Sequence, residues 1–120
     1  VARTQYQLDE YKSALVRSGL AVCRLSRNQG DERSKPGVRL ATMHRVKGLE
    51  FKAVLMAGIN QGVVPLTRVI EATDDPVDRR LRDVNERALF HVAATRAVKY
   101  LLVSCSGIPS EYLTAHKLEQ

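Results

Sequence analysis

Residues 53–58 (AVLMAG) form an unbroken apolar run that ends in glycine. A half-exposed strand alternates polar and apolar residues, whereas a run without alternation suits a strand covered on both faces, as in a parallel sheet. Residues 100–105 (YLLVSC) read the same way, and 38–42 (VRLAT) and 20–25 are shorter strand candidates. Residues 1–4 read as the tail of a strand. Between these runs the period changes. Over residues 5–18, Leu8, Tyr11, Leu15 and Val16 fall near helical spacing, with Gly19 where a helix C′ residue belongs. Over residues 77–97, Leu81, Val84, Ala88 and Val92 predict a long amphipathic helix facing inward, with Leu89 and Ala93 beside that stripe. Residues 26–37 collect Ser, Asn, Gly, Pro and charges and read as a polar surface linker; 60–76 are mostly loop, and 111–118 are a terminal helix after Pro109. The order predicts an α/β domain: a layered fold with a largely parallel sheet flanked by helices, in one unit spanning residues 1–120.

Composition narrows the functional classes. Nineteen Lys and Arg against thirteen Asp and Glu leave a net charge of +6. This excludes an acidic tail and favours an anionic partner, of which nucleic acid is the commonest, although many ordinary domains carry such a charge. With 44% hydrophobic and 27% charged residues the chain is globular in composition. The longest apolar run, 53–59, is far short of the ~20 residues a membrane span needs. Cys23 and Cys105 follow no metal or redox spacing and read as buried free thiols, which points to a reducing compartment, the cytoplasm. The chain begins at Val1 and not at Met, so it reads as a piece of a longer protein.

Polar chemistry concentrates in two stretches. In VRLATMHRVKGLEFKAVLMAGINQGVVP (38–65) a strand ends at Thr42, and His44, Arg45, Lys47, Gly48 and Glu50 follow within eight residues. Loops at the carboxyl ends of strands in open α/β sheets are where ligands bind. Gly48 permits close backbone approach to a phosphate or sugar, Glu50 can accept from ribose hydroxyls, and His44 can stack on a base or bond to a phosphate. A Lys-Gly pair at a tight turn is, however, structural more often than not. In ERALFHVAATRAVKYLLV (86–103), Arg96 closes the long helix on the stripe of Ala88 and Val92. A guanidinium there is either paired with an acid such as Glu50 or Glu86, or aimed at a phosphate across a domain boundary.

These residues carry a resemblance. TMHRVKGLEF, then GINQGVVP, then ERALFHVAATRAVKYL are similar to the late motifs of the UvrD/Rep/PcrA family of superfamily 1, ATP-driven DNA helicases. The family pattern runs T-x-H-x-x-K-G-L-E-F, G-x-x-x-G-x-x-P and V-A-x-T-R-A. Thr42, His44, residues 47–51, Gly58, Gly62, Pro65 and residues 92–97 match it. Arg3 and Thr4 match the R-T-N-x-Q segment that heads the same domain. The resemblance covers residues 1 to about 104.

The resemblance implies the second of two RecA-like motor domains. ATP with Mg²⁺ would lie in the cleft between them, with phosphate loop and metal held by the N-terminal RecA-like domain of the same protein. Arg96 would be the catalytic arginine finger, with Gly48 and Glu50 completing this domain's share of the nucleotide site. Thr42, His44, Thr4 and Gln5 would face single-stranded DNA, and Lys47 would be structural or an outlying cation. No metal ligand set and no membrane contact are expected of this chain.

The sequence departs from the family at Gln5, where Asn is usual, and at His91, where Tyr is common. Only 26–37 stands where larger members insert an accessory subdomain. No G-x-x-x-x-G-K-[ST] loop occurs, and no Asp-Glu pair follows an apolar strand. A phosphoryl-transfer site without its cradle and metal is half a site, so the chain alone is expected not to turn over ATP. The alternatives are a non-catalytic nucleic-acid-binding or interaction module derived from a helicase domain, and a subunit of a helicase-nuclease. A pure binding module needs none of Arg96, Glu50 and Gly48 together.

Overall fold

A computed structural model describes residues 1–26 and 34–114 of the chain. The centre of the expected 26–37 linker and the end of the expected 111–118 helix lie outside the described residues.

Helix α1 (Gln5–Arg17) is bounded by residues suited to each end. Thr4 is extended at the N-cap (φ −123°, ψ 153°), its hydroxyl accepts from the Gln7 amide at 3.2 Å, and the Gln7 side chain accepts the Thr4 amide at 3.3 Å. This reciprocal capping box satisfies donors that the first turn leaves orphaned. At the other end Gly19 turns left-handed (φ 82°), donating to Val16 at 3.0 Å while Leu20 donates to Leu15 at 3.1 Å. That pair of bonds is the Schellman closure expected from Gly19.

Strands β1 (Val22–Arg24) and β2 (Val38–Leu40) pair in parallel, as do β3 (Phe51–Met56) and β4 (Ala97–Val103). Residues 1 and 2 lie between the two ladders. Ala2 donates to Ala41 at 3.1 Å and accepts from Met43 at 3.0 Å, while the Val1 amino group donates to Leu55 at 2.8 Å and its carbonyl accepts from Ala57 at 2.9 Å. Both sets follow the parallel pattern, in keeping with the strand tail read at residues 1–4. The connection from β3 carries a short helix, α2 (Thr67–Ile70), within the expected loop, then α3 (Pro76–Ala94); α4 (Glu111–Thr114) follows β4. The Asp75 carboxylate caps α3 at Val77 N, 2.9 Å away, with Pro76 in the first turn.

The main core gathers Met43, Val46, Val54, Met56, Ile59, Val64 and Ala93, and a smaller cluster sets Leu8 of α1 against Ala2 and Leu40. Three expectations need correction. The inward face of α3 is Glu86, Ala93, Leu89 and Phe90, while Leu81, Val84 and Ala88 are exposed. The reason is a buried charge: Glu86 reaches an internal partner, and its rotation turns the Leu81–Val84 stripe outward. Nor are β3 and β4 covered on both faces. Val54 and Met56 point into the core, but Leu55 is exposed, and so are Tyr100, Leu101 and Leu102 on both faces of β4, because α1 packs over β1 and β2 and, among the described residues, β4 pairs only with β3. Finally, Cys105 is exposed and Cys23 only half-buried, although both thiols are free.

Candidate functional site

The residues singled out by sequence separate to two ends of the parallel strands. At the carboxyl edge the Ala2–Thr42 bridge sets the start of α1 beside the turn over residues 43–48. Thr42 is buried; its carbonyl accepts from Arg45 and Val46 at 3.1 and 3.3 Å, and its hydroxyl also accepts from Arg45 N at 3.3 Å. This pins the turn from its first residue and carries His44 to the surface. Thr4, one strand over, is occupied by its capping box. Gln5 is exposed, and its side-chain oxygen accepts from Arg24. Arg24 also pairs with Asp9, and Arg45 Nε donates to the Ser26 carbonyl at 2.7 Å. The edge thus holds Thr4, Gln5, Thr42 and His44 together, joined by Arg24 and Arg45.

The turn then crosses the core through buried Val46 and delivers Gly48 and Glu50 to the opposite end, at the start of β3. With φ 82°, Gly48 occupies a left-handed conformation costly to other residues, yet nothing lies within 4 Å of where its Cβ would be. Its neighbourhood is open space. Glu50 and Lys47 are exposed. Phe51 N donates to the Arg96 carbonyl at 2.9 Å, so the Glu50 segment lies against the exit of α3.

Arg96 lies just past the Thr95 C-cap, half-buried. Its Nε donates to the Val92 carbonyl at 3.1 Å and its Nη2 to Thr95 Oγ1 at 3.3 Å. Among the described residues no carboxylate pairs with it. Glu86, one of the two acids considered for it, is engaged elsewhere: it accepts from Arg3 Nε at 3.0 Å, Arg3 Nη2 at 2.7 Å and Leu66 N at 3.1 Å. Of the five N–H groups of a guanidinium, two are used at Arg96, leaving three for an outside acceptor. The cation also complements the negative C-terminal end of α3.

Three residues escaped the sequence reading. Arg24 carries only the weak signal of closing a strand before a polar stretch. Glu86 gave none beyond being a candidate partner for Arg96. Gln7 both completes the capping box and donates to the Gly58 carbonyl at 3.2 Å, tying α1 to the exit of β3.

The chemistry available at the second end suits a nucleotide in part. Glu50 offers carboxylate acceptors for hydroxyls, Gly48 an unobstructed backbone, and Arg96 free donors for an anion. Among the described residues no group of three or more His, Cys, Asp or Glu is placed to hold a metal. No helix among them is long and apolar enough to cross a membrane.

Residues 10–107 match the family described as the UvrD-like helicase C-terminal domain. A putative ATP-dependent DNA helicase YjcD of Bacillus subtilis is 40% identical over 79 residues, which is 66% of this chain and 10% of that protein. A probable DNA helicase II homolog of Mycoplasma genitalium is 32% identical over 102 residues, 85% of this chain and 13% of that one. The ATP-dependent DNA helicase PcrA of Staphylococcus epidermidis is 35% identical over 88 residues, 64% and 11% of the two chains. The chain therefore spans about a tenth of the length of these relatives. In fold it is similar to the crystal structure of the C-terminal domain of a possible DNA helicase from Lactobacillus plantarum WCFS1. The TM-score is 0.62 at 24% identity, covering 93% of this chain and 57% of that one.

Proposed function

This chain belongs to the UvrD-like helicase C-terminal domain family, and from that premise we propose that it is the second, RecA-like motor half of a cytoplasmic ATP-dependent DNA helicase. The observation that carries the reading is the separation of its polar residues. Gly48, Glu50 and Arg96 share one end of the parallel strands, and Thr4, Gln5, Thr42 and His44 share the other. One end is the nucleotide face, the other the single-stranded DNA face.

Bound ATP with Mg²⁺, held mainly by the N-terminal RecA-like domain, supplies the phosphoryl group whose hydrolysis drives the motor. This chain's residues do narrower work. Glu50 accepts from the ribose hydroxyls beside Gly48. Arg96 directs its free N–H groups across the cleft to the γ-phosphate, where charge grows in the transition state. Its bonds to Val92 and Thr95 hold the fork in place beforehand, so little reorganisation is left for the reaction. At the far edge His44 stacks on a base or binds a phosphate, and Gln5 hydrogen-bonds along the strand.

The test is reconstitution. The purified chain is expected to show no ATP hydrolysis with or without single-stranded DNA, and the full-length protein to show DNA-stimulated hydrolysis. Hydrolysis that follows the isolated chain through purification overturns the division of labour; a full-length protein without ATPase activity supports a non-catalytic nucleic-acid-binding module instead.

A further inference from the structure

The Arg3–Glu86 pair joins segments 83 residues apart, and its two side chains are only 10% and 6% exposed. An apolar pair of similar volume often stabilises as well as a buried ion pair. What a bidentate fork adds is direction, because two parallel N–H···O bonds fix the angle between the groups as well as their distance. Here the carboxylate takes a third donor, Leu66 N, so three segments are fixed at one point: the strand exit before α1, the loop before α2, and the middle of α3.

Each arm of that point leads to one end of the site. Arg3 directly precedes Thr4 and Gln5 and follows Ala2, which is bridged to Thr42. Glu86 lies ten positions before Arg96, about 15 Å along a helix axis, and α3 runs without a break from it to Ala94. We propose that Glu86 is a positioning residue, orienting α3 against the 3–5 and 42–44 edge so that DNA at that edge sets where Arg96 stands. The inference rests on the helicase reading above and adds the connection between its two faces. Glu86 touches neither nucleotide nor DNA; it acts through α3 and Arg3.

The test uses the full-length protein carrying Glu86→Gln, which keeps an acceptor for Leu66 N but removes the charge facing Arg3. Turnover with and without saturating single-stranded DNA, DNA affinity, the KM for ATP and the melting transition are measured on one preparation. The DNA-stimulated to basal turnover ratio is expected to fall about tenfold, within the usual range of coupling between sites, with DNA affinity and KM within about threefold of wild type. A ratio unchanged in a folded variant overturns the proposal and leaves the pair a structural one. Loss of DNA affinity matching the loss of stimulation overturns it too, by making Glu86 part of the DNA site. Should Glu86→Gln fail to fold, Arg3→Lys, which keeps the charge and loses the fork, is read by the same ratio and decides it. A wild-type protein without DNA-stimulated turnover would instead defeat the helicase reading itself.

Discussion

The amide of Phe51 donates to the carbonyl of Arg96 at 2.9 Å, joining the first residue of β3 to the residue that links α3 to β4. Through this bond the Glu50 segment and the Arg96 guanidinium, 46 positions apart in sequence, border one open end of the sheet. That neighbourhood makes the role of Arg96 separable from its contribution to the fold.

Arg96→Ala in the full-length protein is expected to cut turnover by roughly 10³- to 10⁵-fold, the range for an arginine finger. Because the side chain pairs with no described acid and bonds only to the Val92 carbonyl and the Thr95 hydroxyl at the end of α3, its loss should cost only about 0.5–1.5 kcal/mol of stability. Arg96→Lys should fail nearly as badly, since a flexible point charge does not reproduce the fork. Turnover and thermal melting on the same variant check both halves. A well-folded Arg96→Ala protein within about tenfold of wild-type turnover would falsify the finger assignment.

His44→Ala should weaken DNA-stimulated hydrolysis more than basal hydrolysis. If His44 neutralises one phosphate, the slope of log affinity against log salt for single-stranded DNA should become shallower by about 0.7. A salt titration of DNA binding provides the measurement. Equal loss of basal and stimulated rates would place His44 with the fold or the nucleotide.

Thr4→Ala removes the N-cap of α1 and is expected to cost about 1 kcal/mol of stability, whereas Thr4→Ser keeps the cap and most of that stability. Denaturant unfolding reads this directly. DNA affinity of a fully stable Thr4→Ser protein then tests the threonine for DNA: a drop there points to contact through its methyl group.

Two left-handed glycines should respond unequally. Gly48→Ala meets nothing within 4 Å and should cost only the backbone term, about 1 kcal/mol. At Gly58 (φ 71°) a Cβ would lie 2.6 Å from the Tyr11 hydroxyl and against the Gln7 amide, which donates to the Gly58 carbonyl, so Gly58→Ala should cost about 1 kcal/mol more than Gly48→Ala as those side-chain ends turn aside and that bond is lost. Unfolding midpoints compare them, and equal costs would mean that Gln7 and Tyr11 swing aside freely.

Much of the local structure was legible in the residues themselves. Gly19 announces the end of α1, Asp75 and Pro76 suit the start of α3, and apolar runs mark where β3 and β4 lie, because capping and strand propensity depend on neighbours a few positions away. Which faces those strands bury was not legible, since it depends on what packs over them. The motif around Thr42, His44, Gly48 and Glu50 was legible too, as a pattern of residue types at fixed spacing. Tertiary structure alone decided where these residues go. Periodicity placed Leu81 and Val84 on the inner face of α3, but a carboxylate that must stay paired with Arg3 outweighs an apolar stripe, and Glu86 turned inward instead. Spacing also left open whether Arg96 pairs with Glu86 or stands free, since no local rule says which cation reaches a buried acid first. The chain path settles it: Val1 and Ala2 lie between the two ladders, which brings Arg3 to Glu86 and leaves Arg96 without an acid among the described residues.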